Sequence, residues 1–99
     1  MRATIQSIHF DADQSLLDFV QKKVNKLEKF YDNVVDAQVQ LRLDKNKEQG
    51  NKVVEIKLQV PKDTLVGKNQ SSTFEAATDE TVEDLRRQLL KYKGKMNKA

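Results

Sequence analysis

The chain lacks several residue types on which catalytic and structural sites most often depend. Its 99 residues include no cysteine and no tryptophan, and only one histidine, one proline and three glycines. The absence of cysteine excludes disulfide bonds and zinc–thiolate sites, and a single histidine excludes a histidine-rich metal centre. There is also no glycine-rich phosphate loop and no recognisable nucleophile–base pair. The sequence therefore predicts a protein that is not an enzyme and needs no metal or cofactor.

Long apolar segments are missing as well. No run approaches the roughly 18 residues of a membrane span, and the N-terminal residues carry no signal-peptide pattern. We therefore expect a cytoplasmic protein with no membrane partner and no small-molecule substrate. Apolar residues make up 37% of the chain, enough periodic Val, Ile and Leu to predict one folded domain over residues 1–99.

The hydrophobic period alternates between about two and about 3.6 residues, which predicts six elements. The strands are expected at residues 2–10, 35–43, 54–60 and 65–69, and the helices at residues 14–31 and from the Ser72 region onward. In the second strand the apolar set expected to face the core is Val35, Ala37, Val39, Leu41 and Leu43. Each helix carries one apolar stripe that has to be buried. Both stripes are buried if the two helices pack on the same face of the sheet. The fold class is therefore α+β, a two-layer β-α-β-β-β-α sandwich with a four-stranded sheet and both helices on one face.

Local chemistry predicts several turns and ends. Ser72 and Glu75 have the spacing of a capping box at the start of the last helix. Gly50 suits a left-handed position in the hairpin loop 44–52, and residues 61–63 (Pro-Lys-Asp) suit a tight turn. Tyr92 is expected to pack at the core boundary rather than to stack on a base, and His9 to pack or cap rather than to catalyse.

Positive charge is concentrated at the C-terminal end of the chain, although the formal net charge is only +3. Residues 79–84 hold four acids, and the following segment, 86–98, holds six cations and no acid, namely Arg86, Arg87, Lys91, Lys93, Lys95 and Lys98. The helix macrodipole favours this order, but one or two lysines would satisfy it. So dense a cationic cluster predicts an anionic partner.

Helical geometry arranges these cations in rows. At about 100° per residue, four cations of the last helix share an arc of about 80° opposite its apolar stripe, and Arg86 and Lys93 border the stripe; the four are Arg87, Lys91, Lys95 and Lys98. The first helix carries a second row, Lys22, Lys26 and Lys29. Both rows on one layer predict a positive groove suited to phosphates. The alternative, that each row is only a solvated helix face, stays open at this point.

Several segments resemble one known family. They are residues 22–31 (KKVNKLEKFY), 53–61 (VVEIKLQVP), 74–79 (FEAATD) and 85–93 (LRRQLLKYK). Together they are similar to the ribosome hibernation promoting factors, also called ribosome-associated inhibitor A or sigma-54 modulation proteins. The resemblance covers essentially the whole chain, and because nothing follows the last helix, it is to a short form of the family.

The resemblance implies the same β-α-β-β-β-α fold and a partner, the small ribosomal subunit with its 16S rRNA and neighbouring ribosomal proteins. It implies that the domain occupies the decoding region, blocks messenger and transfer RNA, and so inhibits translation in non-growing cells. Independently of the resemblance, we expect a monomer when the protein is free, because Lys68 and Asn69 disfavour pairing at the edge of the fourth strand. The resemblance implies rRNA contacts for Lys22, Lys23, Lys26, Arg87, Lys91, Lys93 and Lys95. Together with Lys29, Arg86 and Lys98 from the charge pattern, the predicted rRNA-binding set is Lys22, Lys23, Lys26, Lys29, Arg86, Arg87, Lys91, Lys93, Lys95 and Lys98. Asp84 and Leu90 stand where the family more commonly has basic residues.

Two other functions remain open from the sequence. One is a protein-interaction module that modulates transcription initiation, with the basic helix facing an acidic protein surface. The other is a double-stranded RNA-binding domain, whose element order is similar except for the extra first strand here.

Overall fold

The structure is a computed structural model that describes residues 1–45 and 50–96. Its elements are β1 (Arg2–Ser7), α1 (Gln14–Asn25), a 3₁₀ segment (Lys26–Lys29), β2 (Asp36–Leu43), β3 (Lys52–Val60), β4 (Asp63–Ser71) and α2 (Phe74–Met96). The order β-α-β-β-β-α is the one expected from the sequence, so the α+β fold class is confirmed.

The four strands form one mixed sheet in the order β1-β2-β3-β4. β1 runs parallel to β2, with Ile5 opposite Val39, and the two following pairs are antiparallel. A parallel pair requires a crossover connection, which α1 provides. Both helices lie on the same face of the sheet, where side chains from both layers form the core, including Val24, Leu27, Leu41, Ile56, Leu58, Leu85 and Leu89.

Among the described residues, the other face of the sheet has no helix over it, and its side chains are mostly polar, with Val53 and Val66 as apolar exceptions. Glutamines and threonines alternate along the strands with the core residues, and the charged residues there have both signs. Glu55 of β3, for example, lies opposite Lys68 of β4. We call this surface the open sheet face. Its described charged side chains are Arg2, Arg42, Lys57 and Lys68 against Asp36 and Glu55, an excess of two positive charges spread over four strands. The denser cationic cluster predicted from the sequence lies on the helices, on the other side of the sheet.

Two residues of the predicted core are exposed instead. Val35 is 59% exposed because it precedes β2; its backbone N–H donates to Gln59 O, and Val34 fills the core in its place. Leu43 is 47% exposed because it extends past β1, whose last paired residue, Ser7, lies opposite Leu41.

The helix ends differ in detail from the predictions. α1 begins where Asp13 Oδ1 accepts the Leu16 N–H at 2.8 Å, but its last turn tightens into the 3₁₀ segment instead of continuing to residue 31. Such tightening satisfies carbonyls that a helix end leaves free. At α2 the capping hydroxyl is that of Thr73, which accepts the Ala76 N–H at 3.0 Å, and not that of Ser72. Ser71 still pairs with β3, so the chain needs residue 72 to leave the sheet.

Two glycines occupy positions that a side chain would disturb. Gly50 has φ +84°, as predicted, and a Cβ there would lie 2.3 Å from the Ser71 carbonyl carbon. Gly67 of β4 faces α2, where a Cβ would lie 3.0 Å from Thr81 Cγ2. The close approach at Gly67 holds α2 tightly against the edge strand β4.

Candidate nucleic-acid interface

The two helices lie side by side and run in the same direction. Lys23 of α1 contacts Asp79 of α2, with Nζ 3.2 Å from Oδ1. Further along both helices, the Arg86 guanidinium lies 5.8 Å from the Phe30 ring centroid. At the far end the Tyr31 and Tyr92 rings meet edge to face, with centroids 5.6 Å apart. The basic ends of the two helical segments therefore lie at the same end of the molecule, which we call the basic end.

Three of the ten predicted site residues already have carboxylate partners. Besides the Lys23–Asp79 pair, Arg86 Nε lies 3.0 Å from Glu83 Oε2, and the Arg87 guanidinium pairs with Asp84. The hydrogen bond from Arg86 lowers the pKa of Glu83, as expected for a carboxylate that accepts from a guanidinium. These three cations are thus partly neutralised by three of the four acids in residues 79–84.

Six other predicted cations are exposed and make no ion pair with any residue in the described ranges 1–45 and 50–96: Lys22, Lys26, Lys29, Lys91, Lys93 and Lys95. The tenth, Lys98, lies outside the described residues. Unpaired ammonium groups on one surface repel one another, and a bound polyanion would relieve that repulsion. The two helical segments therefore carry positive charge that no carboxylate in the described ranges neutralises.

The cations of α2 lie on two flanks of the helix rather than along one groove. Lys93 shares a cleft of about 210 Å³ with Lys29 and Tyr31 on the side of α1, which we call the inter-helix cleft. Lys91 and Lys95 instead line a larger cleft of about 440 Å³ on the side of the β3–β4 turn, which we call the turn cleft. The single groove expected between the two lysine rows is therefore wrong in position, because the row containing Lys91 turns away from α1.

The turn cleft contains a cation that the sequence analysis missed. Lys62, in the two-residue turn between β3 and β4, lines this cleft together with Lys91 and Lys95. The pattern at residues 61–63 did predict the turn. It did not show that the turn packs beside the last turns of α2, because that contact joins residues about thirty positions apart in the sequence.

Other predicted residues have structural roles or remain exposed. Tyr92 is 8% exposed and its hydroxyl donates to the Pro61 carbonyl, so the expected boundary packing is confirmed. His9 is exposed and adopts a left-handed φ of 64°, so of the two roles expected for it, packing or capping, packing is wrong. A histidine tolerates this turn conformation better than a branched residue. Leu90 is 43% exposed on α2, in the cationic segment.

Other kinds of site find no support in the described residues. In the ranges 1–45 and 50–96, no cluster of three or more His, Cys, Asp or Glu side chains is arranged to hold a metal ion. Within the same ranges, no helix has both the length and the hydropathy needed to span a bilayer. The exposed cations thus remain the main candidate for a binding site.

Comparison with solved structures shows the same fold in two bacterial proteins. A ribosomal subunit interface protein from Coxiella burnetii superposes with a TM-score of 0.83 at 21% identity, covering 95% of this chain and 99% of that one. The N-terminal domain of Thermus thermophilus Protein Y superposes with a TM-score of 0.76 at 23% identity, covering 92% and 94%.

Comparison of sequences identifies the family. A ribosome hibernation promoting factor from Pseudomonas putida is 30% identical over 95 residues, which cover 96% of this chain and 89% of the relative. The family model described as sigma 54 modulation protein / S30EA ribosomal protein matches residues 3–97. The prediction of a non-enzymatic protein is also confirmed, because the proteins of this family are non-enzymatic binding proteins. The chain belongs to the sigma 54 modulation protein / S30EA ribosomal protein family.

Proposed function

We propose that the protein binds the small ribosomal subunit through its basic end and, by occupying the decoding region, excludes messenger and transfer RNA and so inhibits translation in non-growing cells. The observation that carries this proposal is the parallel packing of the two helices, which brings Lys29, Lys91, Lys93 and Lys95 to one end of the domain. None of these four lysines forms an ion pair with a residue in the ranges 1–45 and 50–96. The names of the relatives, a ribosome hibernation promoting factor and a ribosomal subunit interface protein, support the choice of partner.

The chemistry of the basic end suits folded RNA. Lysine ammonium groups contact phosphate oxygens without reading sequence, and flexible stems adjust to an irregular backbone. Folded rRNA presents closely spaced phosphates and is recognised largely by shape. The 16S rRNA is therefore the proposed main contact, with neighbouring ribosomal proteins at the margin. The proposed action takes place in the cytoplasm, where the ribosomes are.

The exposed edge of the sheet supports a monomer. Gln88 of α2 donates to the carbonyl of Val66 on the edge strand β4 at 3.0 Å, which occupies an acceptor that a pairing strand would need. Lys68 on the same strand adds a charge that disfavours edge-to-edge pairing. We therefore propose that the free protein is monomeric.

Sedimentation with purified small subunits over a range of salt concentrations tests the proposal. The wild type should sediment with the subunits at low salt and dissociate steeply as salt increases, because each phosphate contact releases counterions. Arg87→Glu combined with Lys91→Glu should abolish binding and relieve inhibition in an in vitro translation assay.

The matched control is Lys57→Glu combined with Lys68→Glu, which makes the same change in net charge on the open sheet face. The control should bind and inhibit like the wild type. If the Arg87 and Lys91 double variant sediments at the wild-type level, the basic end is not the binding surface. Binding to an initiation factor of transcription, with no binding to subunits, would instead favour the interaction-module function.

A further inference from the structure

We propose that the turn cleft is an RNA-contacting site, in which Lys62, a residue outside the predicted set, binds backbone phosphate together with Lys91 and Lys95. This inference rests on the proposed function and extends it from the helical face to the tip of the β3–β4 hairpin. Lys62 is outside every segment that pointed to the family or to an anionic partner, so the site is defined by the tertiary structure.

The cleft has the charge that a phosphate group needs, in a volume of about 440 Å³. Three ammonium groups line it against one carboxylate, that of Asp63, whose Oδ1 already accepts the Thr64 N–H at 2.7 Å. None of the three lysines forms an ion pair with a residue in the described ranges. Nearly buried side chains of Leu65 and Tyr92 complete the lining, giving an apolar surface beside the cations. Phosphate oxygens suit the ammonium groups, and a ribose suits the apolar part.

The turn is held in place before any ligand arrives. The Tyr92 hydroxyl of α2 donates to the carbonyl of Pro61, the residue before Lys62. The Gln88 amide, one turn earlier on α2, donates to Val66 O on β4. These two bonds attach the hairpin to the helix and keep Lys62 on the same cleft as Lys91. A preorganised site loses less entropy on binding than a flexible one.

The backbone at Lys62 gives an independent reason to assign it a role. Its φ is +72°, the left-handed region, because it follows Pro61 in a turn of type II geometry. Glycine adopts this conformation without the steric cost that a lysine side chain incurs. A strained residue whose charged side chain lines a cationic cleft points to a function for the ammonium group, not for the turn.

Neutralising Lys62 tests the site. Lys62→Gln removes the charge and keeps a side chain at the positive φ, whereas Lys57→Gln makes the same charge change on the open sheet face. We expect Lys62→Gln to weaken binding to small subunits about fivefold and to reduce the slope of log K against log salt by about 0.7 to 1. The Lys57 variant should match the wild type in both. An unchanged affinity and slope for Lys62→Gln would overturn the proposal.

A second substitution excludes loss of folding as the cause. Lys62→Gly removes the same charge but relieves the strained φ, so its melting temperature should rise while its affinity falls as in Lys62→Gln. A Lys62→Gly variant that binds like the wild type would contradict the site. If the wild-type protein itself does not bind small subunits, the proposed function has failed. If the wild type binds and the Lys62 variants bind equally well, only the proposal for the turn cleft is refuted.

The absence of cysteine allows a direct test of proximity. Lys62→Cys introduces a single thiol to which an iron–EDTA reagent can be tethered, and Lys57→Cys provides the same label on the open sheet face. Hydroxyl radicals from position 62 should cleave bound 16S rRNA strongly and locally, and those from position 57 weakly. Equal cleavage from both positions, or none from 62, would overturn the assignment.

Discussion

The side-chain amide of Asn69 on β4 donates a 2.9 Å hydrogen bond to Oδ2 of Asp84 on α2, and Oδ1 of the same carboxylate pairs with Arg87. One acid therefore attaches the long helix to the edge strand and also holds a cation of the basic end. This explains why a carboxylate is useful at Asp84, where a lysine would leave the Asn69 amide without this acceptor.

Substitution of Asp84 should separate these two roles. Asp84→Asn keeps an oxygen that can accept from Asn69 but removes the charge that holds Arg87, so stability should stay near wild type while binding to small subunits strengthens several-fold. Asp84→Ala removes both the hydrogen bond to Asn69 and the ion pair with Arg87, and it should lower the unfolding free energy by about 1 to 2 kcal/mol. Urea denaturation and sedimentation at fixed salt measure the two effects. Weaker binding by Asp84→Asn would show that Arg87 needs its partner to be oriented.

Two buried threonines of α2 should respond oppositely to the loss of their hydroxyls. Thr81 Oγ1 donates to Ala77 O at 2.7 Å and accepts from Asn69 at 3.1 Å, whereas buried Thr78 Oγ1 has no hydrogen-bond partner among the described residues. Thr81→Val should lower the unfolding free energy by about 1 to 2 kcal/mol, and Thr78→Val should raise it by about 1 kcal/mol. Urea unfolding of the two isosteric variants measures the difference. Equal destabilisation of both would contradict the hydrogen-bond assignments.

A methyl group should have opposite effects at two glycines. Gly50→Ala forces alanine into φ +84° and places Cβ against the Ser71 backbone, so we expect a loss of about 3 kcal/mol. Gly94→Ala, in an exposed turn of α2 with open space around the new Cβ, should gain up to about 1 kcal/mol. Thermal unfolding followed by circular dichroism compares the two. A stable Gly50→Ala variant would mean that the hairpin loop shifts away from β4.

The hydroxyl of Tyr92 should make stability fall at alkaline pH. Burial raises the pKa of Tyr92, and nearby Tyr31 and Asp63 raise it further. Because the unfolded chain ionises first, near pH 10, this contribution is fully present below that pH and is lost as pH rises toward the higher folded pKa. Tyr92→Phe should be less stable at neutral pH, since it loses the bond to Pro61, but should show a flatter decline above pH 10.

Melting temperatures measured from neutral to strongly alkaline pH test this prediction. Gln88→Leu is a suitable control, because it removes the other bond between α2 and the hairpin and introduces no change in a titrating group. It should lower the melting temperature equally at all pH values. A Tyr92→Phe curve parallel to the wild type at alkaline pH would show that another group titrates.

Much of the fold follows from local patterns that are visible in the chain. Strand and helix periods place each apolar residue on one face, and turn residues such as Gly50 and Pro61 depend only on their own backbone preferences. The predictions of burial were wrong for residues at the ends of β2, where burial depends on a neighbouring strand. Val35 and Leu43 fit the alternation of core residues along β2. Their burial, however, depends on where β1 ends and how β2 begins, which the alternation does not indicate.

By itself, the sequence determined the element order, the charge gradient of α2 and the spacing of lysines along each helix, because these depend on residues close together along the chain. Only the tertiary structure decided that α1 and α2 run in the same direction, that Asp79 and Lys23 pair, and that Lys62 joins Lys91 in one cleft. The physical reason is that packing of apolar stripes against a common sheet sets the direction and spacing of elements far apart in sequence. The charges on their surfaces are brought together as a consequence.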